Sequence, residues 1–360
     1  MQLHRTSSTR LLAGLALCVA VVGCATSPGQ RPNDFAAAGA EVGPWDRAAL
    51  QDLATYVQSQ KTTGFLIMED RKVVYEHNWP LAAADTNFAA NWTHGTDRYG
   101  ALQEDVASAQ KSFIALLAGI AVDKGLLDID KAVSDYAGPG WSKASPAQEA
   151  AIRVRYLLEM NSGLTEKLAF EAPAGTKFFY NTPAYAVLMR VLQAASKHSL
   201  DEITRAWLTV PAGLADTEWR RRPSSFGDVG NPMGLYTTPR DLARLGQLLL
   251  DKGVAGNGNR VISEGQLAAI FTRSSTNPAY GRLWWLNGSS YSLRYGGRRV
   301  ETALVPAAPA DLIMAFGALE RRLYVSPSRK LIVVRTGQAA PDKDFDQQLW
   351  LLVMKATTKR

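Results

Sequence analysis

Apolar and polar positions alternate with different periods along the chain, and the changes of period divide it into segments. Leu11 to Gly23 is an apolar stretch of 13 residues behind a polar start that holds Arg5 and Arg10. It is too short to span a bilayer and matches the core of an export signal. Residues 24–45, rich in Ser, Pro, Gly, Gln and Ala, read as a tether, and a folded domain is expected over 46–360. Phe65-Leu66-Ile67-Met68 and Val73-Val74-Tyr75, separated by the polar Glu69-Asp70-Arg71-Lys72, predict two strands joined by a short turn. From about 105 to 275 the pattern turns helical. Ile114, Leu117, Ile120 and Ala121 recur at helical spacing, which stops at Lys124-Gly125. Ser145-Pro146 with Gln148 predicts a capping box, and Thr182-Pro183 predicts a helix with Thr182 as its cap. A further amphipathic helix is expected over Asp241–Leu250. Late in the chain, Leu323-Tyr324-Val325 and Leu331-Ile332-Val333-Val334 flank Ser326–Lys330 as a hairpin, and a last helix is expected from about Phe345 to Ala356. Strands at both ends with helices between predict an α/β (α+β) architecture: one antiparallel sheet built from both termini, with an inserted helical subdomain at about 105–275.

Composition adds little to this picture. The 46% hydrophobic and 20% charged fractions are those of an ordinary globular protein. The net charge is +7, but the cations form no long run. The densest group, Arg220-Arg221-Arg222, reads as solvated surface that fits anionic lipid better than nucleic acid. The apolar stretch ends Val21-Val22-Gly23-Cys24, which resembles the lipobox of bacterial lipoproteins. The resemblance implies cleavage before Cys24, a lipid on Cys24, and a periplasm-facing place in the bacterial envelope. Ala25 after the cysteine favours the outer membrane. Cleavage would remove Arg5, Arg10 and Cys18, lowering the charge from +7 to +5 and leaving one cysteine, so no internal disulfide is expected.

Candidate chemistry starts with Ser108-Ala109-Gln110-Lys111, the one S-x-x-K spacing in the chain. A serine needs a base to become a nucleophile, and a lysine three residues on lies one helical turn away. The apolar residues around Lys111 predict burial, which lowers an amine's pKa toward that of a usable base. No G-x-S-x-G elbow, H-E-x-x-H, cysteine cluster or Gly-rich phosphate loop is present, so neither a cofactor nor a metal is expected.

Asp105 to Asp130 (DVASAQKSFIALLAGIAVDKGLLDID) resembles the nucleophile helix of the serine β-lactamase and penicillin-binding-protein superfamily. The likeness is to its class C β-lactamase-like esterases and 6-aminohexanoate-dimer hydrolases. It extends through IRVRYLLEMNSGL (152–164), PAGLADTEW (211–219), GLYTTPRDLARLGQLLL (234–250) and YGRLWWL (280–286). The resemblance implies Ser108 as nucleophile, Lys111 as base, and Tyr180 as the tyrosine of the second motif. The family's asparagine position there holds Thr182, with Asn181 one residue early, so both are candidates for substrate contact. The third motif falls on Ala315-Phe316-Gly317-Ala318. Gly317 would let substrate approach the strand, and the Ala318 N–H would join that of Ser108 as oxyanion hole. The lysine usual in class C enzymes is replaced by Ala315, and Leu319-Glu320-Arg321 departs from the Gly and Gln that often follow. Trp284-Trp285 reads either as packing between subdomains or, through Trp285, as a wall of an acyl pocket. The expected activity is hydrolysis of a small ester or amide through an acyl-enzyme. A β-lactamase or D,D-peptidase and a catalytically inactive envelope binding protein are the alternatives. Substrate identity and oligomeric state are left open.

Overall fold

The computed structural model describes residues 45–226 and 230–357. The signal-like segment, Cys24 and all of the tether except Trp45 lie outside these residues. Trp45 itself, placed in the tether by composition, is buried and bridges Thr357.

The main sheet has six antiparallel strands in the spatial order Lys72–Asn78, Thr62–Glu69, Leu331–Gly337, Arg321–Ser326, Ile313–Gly317, Trp285–Leu286. Strand Thr62–Glu69 pairs with Leu331–Gly337 in the register Leu66↔Val334 and Ile67↔Val333, so the sheet is indeed assembled from both ends of the chain. Its middle strands are buried throughout because both faces are covered. On one face the C-terminal helix Phe345–Ala356 places Trp350 against Tyr324, with ring centroids 5.5 Å apart. Helix Arg47–Ser59, capped by the Asp46 carboxylate, packs beside it. Val333 is the register partner of Tyr324, so its neighbour Ile332 points to the opposite face. There Ile332 meets Gly246 of helix Pro239–Leu250.

The expected hairpins and the terminal helix are present. The segment 105–275 differs from the purely helical expectation. A second, four-stranded sheet runs Thr93–Thr96, Leu102–Asp105, Met233–Thr237, Glu218–Arg221, so two of its strands lie inside that segment and a third ends at its start. These strands are short and rich in charge (Glu104, Asp105, Glu218, Arg220, Arg221), which masks their period. The cap of helix Thr182–Ser196 is Asn181, not Thr182. The Asn181 Oδ1 accepts the Ala184 N–H at 3.0 Å, which puts Pro183 at the second helical position.

Candidate active site

Strand Leu102–Asp105 delivers the chain into a single 3₁₀ turn, Ala107–Ala109, and helix Gln110–Asp123 follows. Ser108 therefore sits on a tight turn at the mouth of the helix rather than within it. Ala107 has φ +49°, a left-handed conformation that costs a residue with a Cβ about 1–2 kcal/mol. The turn is held from below by Asp105, whose carboxylate accepts the Ala107 N–H at 2.8 Å. The helix is buried from Gln110 through Ala121, which takes Lys111 out of water.

The Lys111 amine lies 3.0 Å from the Ser108 hydroxyl. Burial first, and the nearby Arg222 guanidinium second, push Lys111 down to about 7. Its ammonium nitrogen lies 5.0 Å from the Tyr180 ring centroid and 4.6 Å from that of Tyr185. Burial drives the Tyr180 phenol well above its ordinary value, and its hydrogen bond with Ser108 works against that rise. Ser108, Lys111 and Tyr180 thus converge on one point. The arrangement suits passage of the serine proton to a neutral amine and onward through a phenol.

A cavity of about 1090 Å³ opens over this point. It is lined by Ser108, Lys111, Tyr180, Thr182, Trp285, Gly317 and Ala318, but not by Asn181. The Asn181 side chain is spent elsewhere: besides the helix cap, its amide donates to the carbonyls of Leu164 at 2.9 Å and Thr165 at 3.0 Å. The expectation that it reaches round to substrate is therefore corrected. Trp285 stacks on Tyr180 at 5.7 Å and 17°, while Trp284 is fully buried against Phe271. One tryptophan of the pair, Trp285 at the start of its strand, lines the pocket, and the other, just before the strand, lies in the core.

Gly317 ends its strand against the nucleophile turn. A Cβ there would overlap the Val106 carbonyl oxygen, so only glycine allows the two backbones to approach this closely. Ala315 is buried in the strand, while Phe316, Gly317 and Ala318 of that motif line the cavity. The turn that follows carries Leu319 at φ +59° and Glu320 at φ +52°. Arg335 donates to the Leu319 carbonyl at 2.5 Å, and Glu320 accepts the Ala340 N–H at 2.7 Å.

Arg222, which the sequence reading placed on a solvated surface, is instead a largely buried residue of the site. It clasps Asp105 with hydrogen bonds of 2.7 and 3.0 Å, donates to the Asn231 carbonyl at 2.9 Å and reaches the Gln110 side chain at 3.3 Å. In the sequence it is the third of three arginines. The strand Glu218–Arg221 ends before it, and that ending turns it inward.

A family model described as Beta-lactamase matches residues 49–355. Penicillin-binding protein 4 of Amycolatopsis lactamdurans is 25% identical in an alignment of 209 positions that covers 45% of this chain and 55% of that protein. The chain thus spans about half the length of that relative. Among solved structures, a class C β-lactamase matches with a TM-score of 0.65 at 17% identity, covering 87% of this chain and 97% of the other. EstCE1, a hydrolase with promiscuous acyltransferase activity, matches at 0.61 and 16% identity, covering 87% and 98%. At such identities the structural likenesses speak for the fold, and the family model, which covers most of the chain, speaks for descent. The chain belongs to the β-lactamase family of serine hydrolases.

Proposed function

We propose that this protein forms an acyl-enzyme on Ser108 and cleaves a small ester or amide in the bacterial envelope. The observation that carries the reading is the 3.0 Å contact between Ser108 and a buried Lys111 held near pKa 7. At neutral pH a large share of that amine is unprotonated in the free enzyme and ready to take the serine proton. Ser108 then attacks the carbonyl, and Tyr180 passes the proton to the departing alcohol or amine. Water attacks the acyl-enzyme by the reverse proton route. By its likeness to the family, the Ser108 and Ala318 N–H groups would stabilise the oxyanion. Two features weigh against β-lactam or D,D-peptide substrates. Ala315 is buried where class C enzymes present a lysine, and Asn181 is committed to a helix cap. Attachment to the outer membrane through a lipid on Cys24 rests on the lipobox-like sequence.

The deciding experiment labels the purified protein and a Ser108→Ala variant with a fluorophosphonate probe and assays 4-nitrophenyl esters. Labelling and turnover by the wild type alone support the reading. Absence of both would leave the inactive binding protein as the better account, and faster turnover of a chromogenic cephalosporin than of the esters would favour a β-lactamase. Retention of a Cys24→Ser variant on membranes with normal processing would overturn the lipid anchor.

A further inference from the structure

The turn of a two-stranded hairpin, Ser292–Leu293 with Arg299–Val300, lines one side of the cavity. Its turn is closed by the Arg294 N–H donating to the Arg298 carbonyl at 2.8 Å, and Gly296 and Gly297 supply the positive φ angles at the tip. Tyr295, 70% exposed, leans its ring toward Tyr180 with centroids 5.8 Å apart. Arg294 and Arg298, on either side of Tyr295, also line the cavity.

The four arginines of the cavity fall into two kinds. Arg222 is clasped to Asp105, and Arg322 is clasped to Asp346 at 2.8 and 3.2 Å. Among the described residues, neither Arg294 nor Arg298 has a carboxylate partner. Asp346, the acid that acts on Arg294 through space, is already taken up by Arg322 and by the Tyr324 hydroxyl. Glu320 accepts a backbone N–H, and Glu166 lies exposed beside Lys167. Arg294 is half-buried, donates to the carbonyls of Ala303 at 3.2 Å and Leu304 at 3.1 Å, and leaves its Nε buried without a partner. Two neutral carbonyls fix the guanidinium in place but do not offset the cost of withdrawing its charge from water. Nη2 gives its hydrogens to the two carbonyls and Nε is buried, so Nη1 is the end of the guanidinium left for a ligand, and with a second cation across the same turn it suits a carboxylate.

We propose that Arg294 and Arg298 form a carboxylate subsite of the catalytic cavity, so that the preferred substrate is an ester or amide carrying an anionic carboxylate on the side of the reacting bond that meets the Tyr295 hairpin. The proposal rests on the hydrolase reading above. Arg294 supplies the oriented hydrogen bonds, and Arg298, being exposed, draws the anion in and closes on it.

Two matched pairs of esters test it: 4-nitrophenyl butyrate against mono-4-nitrophenyl glutarate, and phenyl acetate against 4-acetoxybenzoate. They place the charge on the acyl and the leaving side in turn. In one pair the wild type favours the anion, and in Arg294→Gln the ratio of kcat/KM for anionic over neutral ester falls roughly 10–100-fold, the scale of a hydrogen bond to a charged group. Arg298→Gln lowers the same ratio less, and Arg294→Lys restores part of it. Ratios that do not differ between wild type and Arg294→Gln in either pair overturn the subsite. Calorimetric binding of glutarate to the Ser108→Ala protein is the readout independent of turnover. Binding that weakens tenfold or more on adding Arg294→Gln supports the subsite even if no ester is cleaved, and no binding, or binding indifferent to Arg294, overturns it. Failure of the hydrolase reading shows instead as esters untouched by wild type and Ser108→Ala alike.

Discussion

The Arg222 guanidinium and the Asp105 carboxylate meet through paired hydrogen bonds of 2.7 and 3.0 Å, with the acid fully buried and the arginine nearly so. The same carboxylate carries the Ala107 N–H of the nucleophile turn, and the same guanidinium helps hold Lys111 unprotonated. One ion pair therefore serves both the shape of the turn and the charge of the base.

Activity should rise with pH through the Lys111 pKa of about 7, because the base works only when neutral. In Arg222→Gln the cation is lost and the Asp105 anion is left facing the site. Both changes favour the ammonium form, so the acid limb of kcat/KM should move up by about one pH unit. The double variant Asp105→Asn, Arg222→Gln removes both charges and should bring the limb back toward its wild-type position. A limb that stays in place in the single variant would show that Arg222 acts by packing alone. Stability must be followed alongside, since breaking a buried pair costs about 3–5 kcal/mol.

Keeping Lys111 buried should cost stability. Its folded pKa, about 7, lies below the ordinary lysine value of 10.5, so between these limits the unfolded chain binds more protons than the folded one. Stability on this account increases as pH rises from 7 to 10.5, at about 1.4 kcal/mol per unit. Lys111→Met should therefore raise the melting temperature most near pH 7 and progressively less toward pH 10, while abolishing turnover. Thermal melts of both proteins across that range check the sign.

Gly317→Ala should separate the third-motif strand from the nucleophile turn, because its Cβ would overlap the Val106 carbonyl oxygen. A loss of about 1–3 kcal/mol in stability is expected from the forced shift, with at least a roughly 100-fold loss of kcat/KM from misplaced donors. Denaturant melts and ester kinetics on the same preparation separate the two effects.

The turn at Leu319-Glu320 holds two side-chain-bearing residues at positive φ. Leu319→Asn substitutes a residue that tolerates this conformation and should raise stability by about 1 kcal/mol, seen as a rise of about 1–3 °C in melting temperature. An unchanged or lower melting temperature would show that packing of the half-buried Leu319 side chain outweighs the strain.

Much of this architecture is legible in the residues themselves. The hairpin around Asp70-Arg71, the helix that stops at Lys124, and the terminal helix Phe345–Ala356 each combine a clear period with a clear terminus. The second sheet is not legible, because Leu102–Asp105 and Glu218–Arg221 bury or pair charged side chains that a period-2 reading counts as solvent-facing. Asn181-Thr182-Pro183 offers two residues able to cap a helix, and local sequence does not choose between them. The proximity of Ser108, Lys111 and Tyr180 follows from spacing and family likeness. Arg222 does not, because its acid partner lies 117 residues away and three consecutive arginines look alike until a strand ends between them.

The pairing of Thr62–Glu69 with Leu331–Gly337 has a temporal consequence. These strands are neighbours in space but far apart along the chain, so the central sheet cannot close until Leu331–Gly337 has emerged. Such long-range closure is slow. If the chain is exported, as proposed from its first residues, it must stay unfolded until it has crossed the membrane, and a fold that waits for a late strand delays its own completion.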